Sequence, residues 1–195
     1  MKRTSRLIAA IALASSTLAG TAVMADHHKM SGHSKMSNPS VGGAAMAPTK
    51  TIVENASAAP NLTTLVAAVK AAGLVDTLSS PGPFTVFAPT NTAFEKLPAG
   101  TVGTLVKPEN KATLTKILTY HVVAGKLTST DIVGAIKNGG GSATLTTVAG
   151  EKLTARLSGN SVVITDGKGG QSAVTTVDVM QSNGVVHVID SVLLP

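Results

Sequence analysis

The hydrophobic period of this chain changes once, and that change restricts its fold more than any single motif does. Before Asn138-Gly139-Gly140-Gly141 the apolar residues recur at helical spacing, and after it they come in short β-rich runs. Leu62, Leu65, Val66 and Val69 predict one helix, with Asn61 behind Pro60 as its N-cap and Gly73 as its stop. A second begins at Pro108 and carries Leu114, Ile117 and Leu118 toward Tyr120, and a third runs from Ser129 to Lys137. Beyond the glycines, strands are predicted at 143–148, 152–157, 161–165, 173–180 and 185–194. The turns between them are Ala149-Gly150, Gly159-Asn160, Gly167 to Gly170 and Asn183-Gly184. Phe84 to Ala88, enclosed by Pro81, Pro83 and Pro89, is a further strand. Helices early and strands late describe an α+β domain whose later half suits an antiparallel meander.

Charge has to be placed before it is interpreted. The 195-residue chain has a formal charge of +6, but Lys2, Arg3 and Arg6 stand ahead of an uncharged stretch from Leu7 to Ala25. A basic start, a short apolar run and small residues at Val23 and Ala25 predict a secretory signal peptide over residues 1–25. Cleavage after Ala22 is the alternative. From Lys50 onward 11 bases face 9 acids, so no basic patch remains for nucleic acid. The chain contains no cysteine, which excludes disulfide scaffolds, thiol nucleophiles and lipid attachment through sulfur. With no second apolar span, no membrane crossing is expected after cleavage. The expected location is the periplasm or the extracellular space, as a monomer or weak oligomer.

Residues 26–48 are rich in His, Met, Ser and Gly and carry Val41 as their sole large branched apolar side chain, which predicts a flexible leader. The folded domain is expected over 49–195, where a segment of about 147 residues buries roughly 70% of its unfolded surface. Phe84, Phe87, Phe94 and Tyr120 are expected to form one aromatic cluster at the core centre.

Three segments are similar to the signature blocks of the fasciclin-like domain family. They are Phe84-Thr85-Val86-Phe87-Ala88-Pro89-Thr90-Asn91 continuing to Pro98, Leu118-Thr119-Tyr120-His121-Val122-Val123 continuing to Leu127, and Asn183-Gly184-Val185-Val186-His187-Val188-Ile189-Asp190 continuing to Pro195. The resemblance implies a fasciclin-like fold over residues 49–195, with N-terminal helices packed on an antiparallel β-sandwich or wedge. Local chemistry agrees: Thr90, Asn91 or Thr92 can cap a helix after Pro89, Thr92 and Glu95 have capping-box spacing, and Asn183-Gly184 suits a tight hairpin with positive φ.

The resemblance also implies a role. Fasciclin-like domains are mostly secreted or surface adhesion modules, and animal matrix members present an Asp-Ile-Met or Asp-Ile-Leu element to integrins. Asp178, Val179 and Met180 match that element, with Val177 in place of the family's proline and Val179 in place of its isoleucine. Tyr120 and His121 match a second attachment element. The partner expected is a cell-surface or matrix protein or a polysaccharide. The competing reading for Asp178 is a strand or turn cap, with Val179 and Met180 packed inward.

His121 and His187 sit inside apolar segments, where an imidazole is expected to hold nearby backbone rather than a metal. No Gly-x-Ser-x-Gly elbow, phosphate loop or His-Glu-x-x-His occurs, so no enzyme is expected. Some fasciclin-like proteins carry carotenoids, which makes an apolar-ligand carrier the alternative function. A chain cleaved after Ala25 would begin Asp26-His27-His28, whose amine, two amides and third-position imidazole can chelate Cu(II) or Ni(II) in a square plane.

Overall fold

The computed structural model describes residues 38–195, so the predicted signal peptide and most of the leader lie outside the described residues. Seven helices and seven strands follow in the order α1 Ile52–Ala58, α2 Thr63–Ala72, α3 Val75–Ser79, β1 Phe84–Pro89, α4 Asn91–Glu95, α5 Thr101–Leu105, α6 Lys111–Tyr120, β2 Val122–Ala124, α7 Ser129–Asn138, β3 Ser142–Thr146, β4 Lys152–Ser158, β5 Ser161–Thr165, β6 Gln171–Gln181 and β7 Gly184–Ile189. The switch from helical to strand periodicity at Gly139 is therefore real. All five predicted late strands are present, and Pro108 opens a three-residue 3-10 turn that leads into α6.

The strands form one sheet in the order β2-β1-β7-β6-β5-β4-β3. Its neighbours are antiparallel with one exception, since β1 and β7 run parallel from Phe84 opposite Gly184 to Pro89 opposite Ile189. No local turn could announce that pair. The two ends of the sheet approach each other where Val123 bridges Thr147 and the Val148 N–H donates to the Val122 carbonyl at 2.7 Å. Near-closure removes exposed strand edges and gives a barrel-like wedge.

Every residue of β7 is buried, as its unbroken apolar run requires of a strand covered on both faces. Val86, Ala88, Val186 and Val188 join Leu65, Val69, Leu114 and Leu118 in a first core cluster on the helical side. Phe87 and Ile189 join Ile132, Ile136, Leu153 and Ile164 in a second, between α7 and the meander. Each fully buried side chain of this size contributes about 2 kcal/mol. The aromatics do not form the single cluster their sequence proximity suggests. Phe84 and Phe94 pack in the first group, whereas Phe87 and Tyr120 belong to the second; on β1, Phe84 and Phe87 are three residues apart and so face opposite sides of the sheet.

Helix ends show where local reading holds and where it fails. Thr128 and Asp131 form a capping box at α7, as do Thr51 and Glu54 at α1, and Gly73 ends α2 at φ +72°. Asn61 does not cap α2; the Thr64 N–H donates instead to Asn91 Oδ1 at 3.0 Å, and Asn61 Oδ1 is buried without a partner. At α4 the cap is Thr90, so Thr92 and Glu95 do not make the box their spacing allowed.

The leader ends earlier than its composition suggests. Val41 and Met46 are buried in the first cluster, the Asn38 side chain pairs with both backbone groups of Met180, and Asn55 pairs with both backbone groups of Ala47. Composition counts apolar residues but not their fit. Two well-placed side chains and two asparagines that satisfy backbone are enough to dock residues 38–48 on the domain.

Candidate interaction site at the β6 bulge

The register between β6 and β7 slips between Thr176 and Val179, which creates a bulge opposite His187. Within it Asp178 adopts φ +56°, the one non-glycine residue at positive φ among the described residues. That conformation costs an L-residue about 1–2 kcal/mol, so its surroundings must hold it there. The Asp178 N–H donates to His187 Nδ1 at 3.4 Å, and Asp178 Oδ1 accepts the Ser129 N–H at 2.6 Å. Its other oxygen accepts the Ser129 hydroxyl. Ser129 opens α7, so the carboxylate also meets the positive end of that helix.

His187 closes the ring of contacts. With Nδ1 accepting, its Nε2–H donates to the Leu127 carbonyl at 2.9 Å, and the imidazole stacks on Phe87 at 5.7 Å between centroids. Burial pushes its pKa down, against the opposing influence of the Leu127 carbonyl and the Asp178 charge. The bulge thus joins β6, β7 and the start of α7 through one neutral imidazole and one carboxylate.

The predicted partner-binding residues divide by exposure. Val179 is 1% exposed and belongs to the first core cluster, Met180 is half-buried, and Asp178 is turned to Ser129. The side chain left outward is Val177, 38% exposed, a position the sequence reading treated only as a departure from the family pattern. Tyr120 and His121 are both buried. In this conformation they present no surface to a partner, which corrects their assignment as contact residues.

Their chemistry is internal. The Tyr120 hydroxyl accepts the Gly167 N–H at 2.8 Å and donates to the Lys152 carbonyl, and burial raises its pKa. His121 Nδ1–H donates to the Ile117 carbonyl at 2.8 Å, while Nε2 accepts the Leu193 N–H at 3.0 Å. Burial pushes its pKa down to about 4. Asp166 accepts the Lys168 and Gly170 amides through Oδ1 and the Leu194 amide through Oδ2. Together these three residues fasten the C-terminal segment and the β5–β6 loop.

Asn183 and Gly184, expected to turn the hairpin at positive φ, serve it in another way. The β6–β7 hairpin turns at Ser182-Asn183, and neither Asn183 nor Gly184 has positive φ. Asn183 instead accepts the Ile52 N–H and donates to the Leu78 and Ser80 carbonyls. Gly184 is required because a Cβ there would lie 2.0 Å from the Phe84 carbonyl oxygen on parallel β1.

Among the described residues no group of three His, Asp or Glu side chains could hold a metal, and Asp26, His27 and His28 lie outside them. An apolar cleft lies between α1, α2, α6 and β1, lined by Val53, Ala56, Val66, Val86 and Leu118. Its cavity of about 30 Å³ has room for roughly one water-sized group. No described helix is long and apolar enough to cross a membrane.

The model of the Fasciclin domain family matches residues 60–195. Protein sll1483 of Synechocystis is 51% identical over 145 residues, spanning 74% of this chain and 73% of its own length. The cell surface glycolipoprotein MPB83 of Mycobacterium bovis is 37% identical over 161 residues, covering 80% of this chain and 64% of that protein. A solved FAS1 domain pair from the insect cell adhesion molecule Fasciclin I superposes with a TM-score of 0.50 at 27% identity, over 65% of this chain and 42% of that one. The seven-stranded wedge, the three sequence blocks and the family match agree, and the chain belongs to the fasciclin domain family.

Proposed function

We propose that this protein is an exported, non-catalytic adhesion module of the cell envelope or its surrounding matrix, and that its partner is a surface protein or polysaccharide. Support comes from the family, from a relative named as a cell surface glycolipoprotein and from the likeness to a cell adhesion molecule. The observation that carries the reading on this chain is the β6 bulge. A backbone held at φ +56° by His187 and Ser129 keeps Val177 turned to solvent at a fixed place beside Asp178. Rigid display of a contact residue lowers the entropy cost of binding.

The test separates contact from support. Val177→Asp should reduce attachment of cells or matrix to protein-coated surfaces and leave the melting temperature unchanged. Asp178→Ala should lower both, because it removes the acceptor from Ser129. Val177→Asp protein that holds cells as well as the parent would refute the bulge as the contact.

The family resemblance leaves a second reading, carriage of an apolar ligand such as a carotenoid, for which the cleft as it stands is too small. Its lining is almost wholly aliphatic, and loading a polyene would require α1 and α2 to part from α6. Protein that stays colourless after incubation with a pigment extract would exclude it.

A further inference from the structure

The strands β3 to β6 turn one face into the second core cluster and leave the other to solvent. Ala143, Ala155, Ile164 and Ser172 stand in one inward row. The outward rows are polar: Thr144, Thr154, Thr165 and Gln171 lie directly across from one another, and Arg156 lies between Ser142 and Val163. Lys152 faces Thr146 at the end of the same surface. No residue of β3, β4 or β5, nor of β6 before its bulge, is a carboxylate. At the border, Glu151 pairs with Lys116 at 2.8 Å and Asp190 with Lys96 at 3.3 Å, while Asp166 is buried and accepts three backbone amides.

Lys152 and Arg156 are exposed on one strand and make no ion pair with a described residue. Four residues of strand place them about 13 Å apart, with the Thr154 hydroxyl between them. The face therefore offers two cations, unpaired among the described residues, within a field of hydroxyl groups.

The residue types discriminate among occupants. Binding of single-stranded nucleic acid relies on aromatic stacking, and Phe84, Phe87, Phe94 and Tyr120 all lie off this face. A protein partner of ordinary affinity needs a desolvated aromatic or aliphatic anchor, whereas the outward apolar residues from β3 to Ala173 are half-buried Val163 and Ala173; exposed Leu157 lies in the opposite row and Val177 in the β6 bulge. Membrane surfaces are held by inserted apolar side chains, and the face has none to insert. We infer that this face binds an acidic polysaccharide, with Lys152 and Arg156 taking uronate carboxylates and the threonine row exchanging hydrogen bonds with sugar hydroxyls. The assignment rests on the adhesion reading and names its partner class. Without an aromatic platform the attraction is largely ionic, so it weakens with salt.

The exported chain is passed over immobilised alginate, with dextran as the neutral control. Retention is expected on alginate but not dextran at about 20 mM salt, and its loss at about 300 mM, where salt screens exposed cation–carboxylate contacts. K152E/R156E should lower retention at least about ten-fold with an unchanged thermal melt, since both side chains are exposed. K70E/K107E, the same charge change on the helical side, should retain most of the binding. Retention that survives K152E/R156E, falls equally in the helical control, or appears on phosphatidylserine vesicles instead of alginate overturns the assignment, as does no retention. Attachment measured in parallel keeps the two readings apart. Alginate failure with V177D-sensitive attachment removes the polysaccharide face alone, and failure of both removes the adhesion reading as well.

Discussion

The two sides of β1 and β7 are stabilised by different means. On the helical side, α1 to α5 are 5 to 10 residues long, shorter than a helix that stands alone in water. Several of their ends are satisfied from far along the chain: Asn91 serves α2, and Asn183 serves both α1 and the end of α3. The meander side relies on neighbours in sequence, with short turns, strict alternation and cross-strand pairs in register. One half therefore depends on a few buried amides, and the other on many interchangeable apolar contacts.

That contrast can be broken experimentally. The largest effect is expected from Gly184→Ala, whose Cβ would meet backbone atoms of Phe84 from 2.0 to 3.1 Å away. A loss of about 4 kcal/mol or more should follow, read as failure to show a cooperative thermal transition. Asn183→Ala removes three hydrogen bonds and leaves backbone groups unpaired, a cost of about 3–4 kcal/mol by urea denaturation. Leu153→Ala, its counterpart in the meander, should cost about 3 kcal/mol. Hydrogen exchange then sharpens the comparison: Asn183→Ala should release the amides of α1 and α3 first, and Leu153→Ala those of β3 to β5.

Acid acts where the two sides meet. His121 is held neutral, its pKa pushed down to about 4, so as pH falls the unfolded chain takes up the proton first. Its stabilisation is complete above about pH 6.5 and lost toward pH 4, which amounts to about 3 kcal/mol. His187 shifts in the same direction. Glu54 is lowered by hydrogen bonds from Thr51, and Asp131 by the Thr128 hydroxyl and amide, so their contributions fade only at still lower pH. Urea midpoints that fall between pH 6.5 and 4 would separate the histidines from the carboxylates, and a flat profile there would contradict the buried neutral imidazoles. The smallest effects belong to single caps. Thr128→Ala and Asn91→Ala should each cost about 1 kcal/mol, the first confined to α7 and the second felt at both α2 and α4.

Much of this was legible in the chain. The late strands, the helix from Ser129, the stop at Gly73 and the three family blocks all follow from period, turn chemistry or motif. The histidines were read correctly as holders of backbone. The exposure of the motif residues was not legible to the same degree, because a motif states residue types and says nothing of burial. Tyr120, His121 and Val179 are apolar-segment residues whose motif positions coincide with the core, while Val177 is presented by a bulge that no local pattern marks.

Period and turn residues by themselves marked α2, α6, α7, β1 and the five late strands, since both act within a few bonds, but not the short α1, α3, α5 and β2. Tertiary structure alone decided the parallel pairing of β1 with β7, the need for Gly184, the distant caps by Asn91 and Asn183, and the docking of residues 38–48. The physical reason is common to all four. A buried amide or a close backbone approach is satisfied by whatever lies nearby in space, and proximity across a hundred residues leaves no trace in local sequence.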